Sequence, residues 1–265
     1  MPPPQKLNLF QALQLAGQYQ AAGNLPQAEG LLRQILVAQP ENAAALHLLG
    51  IIAHQAGKTG QGIQLILQAL EIWPNAGQFH SNLGEMYRLF GRLDESIRHG
   101  EQAVMLDPAA ATAHSNLGIA WYDKGELDKA EACQQRAIAI NPKLVAAWNN
   151  LGSIRRNRKD REAAIGFYRK ALEVSPGYPE SMSNLGAVLS EADRPEEAIK
   201  VLLKAIKLSP GYAEAHCNIA NAFLRLEHLD KARAGFEHAL ALKPDLSDAC
   251  QGLARVYQEN NQISD

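Results

Sequence analysis

Apolar residues between 113 and 140 fall into two stripes. Ala113, Leu117, Ala120 and Trp121 stand at i, i+4, i+7 and i+8, and Ala130, Cys133, Ala137 and Ile140 stand at i, i+3, i+7 and i+10. Both spacings describe one face of a 3.6-residue helix, with polar residues filling the opposite face. Gly125 separates the stripes, so this stretch predicts two antiparallel helices joined by a tight turn. The same pair then recurs every 34 residues. With each unit counted so that position 32 is proline, that position holds Pro40, Pro74, Pro108, Pro142, Pro176, Pro210 and Pro244. Position 7 reads Leu15, Leu49, Leu83, Leu117, Leu151, Leu185, Ile219 and Leu253, and position 8 holds only glycine or alanine, from Ala16 and Gly50 to Ala254. Position 20 is small throughout, from Ala28 and Gly62 to Ala232, and position 27 is alanine from Ala69 to Ala239. A fixed period of this length marks a repeat architecture, which takes precedence over any local motif.

The punctuation within each unit is equally regular. Gly23, Gly57, Gly91 and Gly125 are placed to end the first helix, because glycine accepts the left-handed conformation beyond a helix C-terminus. Asp94, Asp128 and Asp230 are expected to cap the second helix, and the proline stops it. Glycine at position 8 is a poor helix former, so its recurrence predicts a close approach of the partner helix at position 20. Large side chains return at position 11 in Tyr19, Tyr87, Trp121, Phe223 and Tyr257.

Leu-Gly-x-x-Tyr, with alanine at +12 and +19 and proline at +24 from the glycine, resembles the tetratricopeptide repeat over nearly the whole chain. The resemblance implies an all-α fold, a right-handed α-solenoid (superhelix) of antiparallel helix pairs whose first helices line the concave surface. The expected organisation is an N-terminal tail at 1–8, repeats at 9–42, 43–76, 77–110, 111–144, 145–178, 179–212 and 213–246, and a partial repeat at 247–265, as one continuous solenoid. Ser247 to Asn260 reads as a complete first helix. Asn261 to Asp265 then aligns with the turns that start second helices elsewhere, such as Gly91 to Glu95, which suggests a fragment cut near a repeat boundary; the alternative is a lone terminal capping helix.

Composition fits thin stacked layers: 46% of residues are hydrophobic and only 6% aromatic. A net charge of −2 provides no general field for nucleic acid. Three cysteines (Cys133, Cys217 and Cys250) without a C-x-x-C spacing suggest reduced thiols and a cytoplasmic location. No apolar run is long enough to span a membrane, and no signal-peptide core follows the N-terminus. The motifs of nucleophilic, phosphate-binding and metal-dependent enzymes are absent, so neither a catalytic site nor a cofactor or metal is expected. His80, His114 and His216 share position 4 with Trp148 and Leu46 and read as packing residues between units.

One polar position stands out. Position 6 is asparagine in five consecutive units: Asn82, Asn116, Asn150, Asn184 and Asn218. Asparagine is a mediocre helix former, and these lie off the seam within each unit. On the concave surface they would form a ladder. A carboxamide both donates and accepts, which suits it to a peptide bond regardless of side chain. The repeat superhelix of O-linked N-acetylglucosamine transferases is similar here, both in the ladder and in the Ser-Asn-Leu-Gly signature at 81–84, 115–118 and 183–186. That resemblance implies grip on a protein substrate's backbone and a catalytic domain outside this chain. The alternative is that the amides bond to adjacent helices and fix the stack. Position 12 adds His54, Arg88, Tyr122 and Arg156 as secondary contacts on a mildly basic seam. The expected function is recruitment of a protein or peptide in extended conformation, without nucleic acid or membrane insertion. An assembly scaffold that uses its convex face or its ends is the competing reading.

Overall fold

The computed structural model describes residues 8–264, with side chains through residue 260. Among them are fifteen α-helices and no strand. The expected tail at 1–8 lies outside the described residues except for Asn8, whose side chain accepts from the backbone N–H of Gln11 and caps the first helix.

Chain contacts gather the helices into two compact units, Met1–Ile140 and Asn141–Asp265. The first holds the pairs α1 (Leu9–Ala21) and α2 (Leu25–Ala38), α3 (Ala43–Gln55) and α4 (Thr59–Ile72), α5 (Gly77–Leu89) and α6 (Leu93–Leu106), and α7 (Ala111–Asp123) and α8 (Leu127–Ile140). The second holds α9 (Val145–Asn157) and α10 (Arg161–Val174), α11 (Pro179–Glu191) and α12 (Pro195–Leu208), α13 (Ala213–Arg225) and α14 (Leu229–Leu242), then α15 (Ser247–Ser264).

Within the first unit α1 touches α3, α3 touches α5 and α5 touches α7; within the second α9 touches α11, α11 touches α13 and α13 touches α15. Within either unit no two even-numbered helices touch among the described residues. The odd-numbered helices are therefore the more closely spaced layer, and each unit curves with that layer on its inner side.

The glycines at position 8 admit the partner helix as expected, and they do something further. A Cβ on Gly50 would sit 2.9 Å from the carbonyl oxygen of Gly62, and one on Gly84 would sit 3.0 Å from that of Ser96, so the small residues at position 20 do approach. The side chain at position 24 also closes in: Ile66 Cγ1 would lie 2.7 Å from a Cβ on Gly50. A Cβ on Gly152 would lie 2.5 Å from the Tyr168 ring, and one on Gly186 would overlap Leu202. Tyr168, Leu202 and Phe236 at this position are completely buried, as are Leu32, Ile66 and the polar Gln134. Interiors packed to crystal-like density have no slack for an added methyl here.

The turns need one correction. Gly23, Gly57, Gly91 and Gly125 have φ of 76°, 78°, 79° and 85°, as a helix-ending glycine should, and Lys159, Asp193 and Glu227 adopt the same left-handed φ near 60° without being glycine. Asp94, Asp128 and Asp230, however, are not caps. Each lies in the first turn of its helix, one residue inside the start. There a carboxylate favours the positive end of the helix dipole without capping a backbone N–H. Asp94 bonds Lys124 Nζ at 2.6 Å instead. The aspartate that does cap a second helix is Asp160, which accepts from Ala163 N–H at 3.2 Å.

The turn predicted after Asn260 is also absent. α15 continues through Asn261 to Ser264. Asn261 aligns with Glu227, yet it keeps helical geometry.

Candidate functional site

The side chains of the odd-numbered helices bond from repeat to repeat in three registers. The first is at position 4. His114 Nε2 lies 3.1 Å from the Pro108 carbonyl, His216 Nε2 lies 2.9 Å from that of Pro210, and Trp148 Nε1 donates to that of Pro142 at 2.9 Å. His80 Nε2 makes the same contact with Pro74 at 3.0 Å. A carbonyl only accepts, so each imidazole carries its proton on Nε2. The packing role expected of these residues therefore includes a staple that holds the proline turn against the next helix. In His80 the staple leaves Nδ1 as an acceptor, and His99 Nδ1–H donates to it at 2.9 Å. His99 Nε2 is then a bare lone pair, buried with no partner. Burial first, and His80 second, pushes the His99 pKa down to about 4.

The second register contains the asparagines. All five are half-buried on the odd-numbered face. Each amide with an assigned partner donates to position 5 of the preceding repeat. Asn82 Nδ2 meets His47 Nε2 at 2.9 Å, and Asn116 Nδ2 donates to Ser81 Oγ at 3.2 Å. In the second unit Asn184 Nδ2 donates to Asn149 Oδ1 at 3.1 Å, and Asn218 Nδ2 donates to Ser183 Oγ at 2.9 Å. Sequence reading gave position 5 no bracing role; it is buried at His47, Ser81, Ser115, Asn149, Ser183 and Cys217. Its signal was the small polar residue before each asparagine. His47 accepts as a neutral imidazole, with its pKa lowered by burial to about 4. Asn149 is the best satisfied, since its Nδ2 donates to Glu180 and its Oδ1 also accepts from Ser181 Oγ.

These bonds use only the amide nitrogen. The Oδ1 atoms of Asn82, Asn116, Asn184 and Asn218 receive no hydrogen bond from the described residues and are not sealed from solvent. Asn150 lies at the matching place on α9, half-buried and partnered.

The third register runs forward from position 12 to position 13 of the next repeat. Gln20 Nε2 donates to Gln55 Oε1 at 3.1 Å, Arg88 donates to Asp123 at 2.7 Å, and Arg156 Nε donates to Glu191 at 3.0 Å. Arg88 is also gripped by Glu85 at 2.8 Å, and that bond does most to hold its guanidinium charged. The basic seam is thus largely neutralised at Arg88 and Arg156. His54 turns back to Thr59 Oγ1 at 3.0 Å, and Tyr122 is half-buried and partnered. Among the described residues no group of three or more side chains is placed to hold a metal, and no helix is long and apolar enough to cross a membrane.

Models of the tetratricopeptide repeat match residues 13–77, 55–108, 111–144, 143–210 and 213–246, and one described as TPR repeat matches 194–227. The chain belongs to the tetratricopeptide-repeat family. As such it is a protein–protein interaction module, and no catalytic domain is evident in it. No curated protein gives a significant match. Among solved structures, the tetratricopeptide-repeat array is similar to the Cut9–Hcn1 hetero-tetramer of the APC/C, with a TM-score of 0.82 at 20% identity over 94% of this chain and 49% of that one. It is also similar to MamA (TM-score 0.53, 26% identity, 63% of this chain and 97% of that one). A third likeness is to YrrB, described as a TPR protein with an unusual peptide-binding site (TM-score 0.51, 20% identity, 70% and 96%). The chain spans about half the length of the first of these.

Proposed function

We propose that this chain takes an extended segment of a partner protein on the odd-numbered helix face of each unit, with the asparagines at position 6 as rungs. One observation carries the reading. Four rungs commit a nitrogen to bracing the stack yet leave the carboxamide oxygen open to solvent. Bracing fixes each side chain in one rotamer, which removes part of the entropy cost of binding. The oxygen then accepts an N–H from a passing backbone whatever its side chains. Bracing and binding are thus compatible roles of one side chain. We also read the array as seven repeats with an eighth partly present, working in the cytoplasm. Burial supports reduced thiols there, raising Cys133 to about 11 and Cys217 to about 12. The finer kinship with the substrate-recruiting superhelix of O-linked N-acetylglucosamine transferases rests on the ladder and the Ser-Asn-Leu-Gly signature.

Paired substitutions test this. Asn116→Ala and Asn218→Ala remove brace and acceptor together, whereas Ser81→Ala and Ser183→Ala remove the brace partner alone. Fluorescence anisotropy with a degenerate 12-residue peptide pool should show affinity falling about 2- to 13-fold per asparagine, as for one hydrogen bond. The serine variants should stay within about twofold of wild type, because the rung oxygen remains. Equal loss in both series would reduce the asparagines to structural braces.

A further inference from the structure

A recess of about 410 Å³ opens on the odd-numbered face of the second unit, between α9, α11, α13 and α15. It forms where two of the repeat-to-repeat registers lapse together. The asparagine row stops at Gly252, since a Cβ there would overlap the ring of Phe236, which is completely buried and cannot yield. The forward register stops at the preceding repeat. Position 12 is Ser190 and its partner position 13 is Arg225, and the short hydroxyl makes no bond to the guanidinium. Neither group makes that bond, and both residues line the recess. Ser190 Oγ is buried without a hydrogen-bond partner in a residue only 3% exposed. Arg225 is exposed and forms no ion pair among the described residues.

The remaining charges are mostly paired. Arg156 is tied to Glu191, Arg255 stands 3.9 Å from Glu259 at the edge of the recess, and Asp248 has no cationic partner among the described residues. Arg225 is thus the guanidinium of the lining without an ion pair among the described residues. An unbonded buried hydroxyl calls for a reason, and a donor beside the unpaired Arg225 guanidinium indicates a missing anion.

We infer that this recess accepts one acidic side chain, an aspartate or glutamate of the bound segment, with Arg225 and Arg255 facing the carboxylate and the Ser190 hydroxyl donating to it. One unpaired guanidinium fits the single charge of a carboxylate; a phosphate would bring a second negative charge against Asp248. Asn218, a rung with an open oxygen, also lines the recess. The backbone thus runs on past the pocket, and the acid is a side chain rather than a chain terminus. The inference rests on the groove reading above and adds a register to it: sequence-tolerant rungs, with one position at which the partner's chemistry is read.

The test uses the whole chain and three C-terminally amidated 12-residue pools. One central position is fixed as Glu, Gln or Lys, and the others are drawn from Gly, Ala, Ser, Asn and Gln. By fluorescence anisotropy the Glu pool should bind about tenfold tighter than the Gln pool, as expected for hydrogen bonds to a charged group, with the Lys pool weakest. In Arg225→Ala/Arg255→Ala the Glu preference should fall below about twofold. Both arginines are exposed, so this variant keeps its fold. Ser190→Ala should reduce the preference about 2- to 5-fold without lowering the thermal midpoint, because the hydroxyl it removes has no partner in the protein. Lys170→Ala, an exposed cation on α10, should keep the full preference. Equal binding of the Glu and Gln pools would overturn the acidic pocket and leave the groove standing. A Glu preference that survives the double arginine variant would overturn it too. Failure of every pool to bind would remove the groove reading, and the pocket with it.

Discussion

The odd-numbered faces of the two units are built from the same repeat but finish their bonds differently. In the first unit most cross-repeat bonds close, although His54 turns back to Thr59 and the buried His99 Nε2 stays bare. Arg88 is shared between Glu85 and Asp123, Asn82 and Asn116 reach His47 and Ser81, and buried rings fill the interior, with His47 stacked on Phe79 at 4.0 Å and His99 on Tyr87 at 5.5 Å. In the second unit the bonds close more tightly around Asn149 and then lapse at Ser190, Arg225 and Gly252. A repeat that satisfies every polar group is finished as structure, whereas one that leaves a guanidinium and a buried hydroxyl unused invites a ligand. The lesson is to look in a repeat protein for the unit where the recurring bond fails.

The comparison can be tested at several levels. The largest effect belongs to Phe236, the residue that holds position 252 bare. Phe236→Ala should cost about 3 to 5 kcal/mol in urea denaturation, the usual range for emptying a fully buried aromatic site. A loss below about 1 kcal/mol would mean that the site collapses, and that Phe236 does not shape the recess.

Acid should single out the first unit. His47 and His99 have pKa values near 4 in the folded chain against 6.5 unfolded, both lowered first by burial. A depressed histidine favours folding only while neutral. The contribution is whole above pH 6.5 and drains away as pH falls from 6.5 towards 4. At pH 5 each should have lost about 2 kcal/mol. Protonation would also turn His47 Nε2 from acceptor to donor and break the Asn82 rung. The second unit has no buried histidine among its described residues. Hydrogen exchange at pH 7 and pH 5, corrected for intrinsic rate, should therefore lose protection in α3 to α6 well before α9 to α14. Uniform loss across both units would remove this distinction.

The smallest effect compares one polar residue from each face. Asn149→Ala strands the completely buried Ser181 hydroxyl and should cost about 1 to 3 kcal/mol. Asn116→Ala removes a half-buried amide whose place water can take, and should cost about 0.5 to 1.5 kcal/mol. Thermal melts of the two variants rank them directly. An equal loss would mean that the denser network around Asn149 adds nothing.

Much of this was legible in the chain, and for a definite reason. A 34-residue period repeats each packing environment seven times, so Leu at position 7, Gly at position 8 and Pro at position 32 reveal a helix pair that no single copy would establish. The asparagine row was visible on the same grounds. Capping was misread at Asp94, Asp128 and Asp230 because a one-residue shift in helix start moves a carboxylate from cap to first turn, and composition does not resolve that step. Position 24 escaped notice because Leu32, Gly100, Gln134, Tyr168 and Phe236 share no chemical type. What they share is a site facing the small residue at position 8, which only packing reveals.

By itself the sequence determined the all-α repeat fold, its helix pairs and the row of amides, since each follows from periodicity within a unit. Only the tertiary structure decided which atoms of those amides remain unused and where the recurring bonds lapse. A hydrogen bond between residues 35 apart depends on the distance and side-chain length across a helix–helix contact, which the identity of either residue alone does not specify.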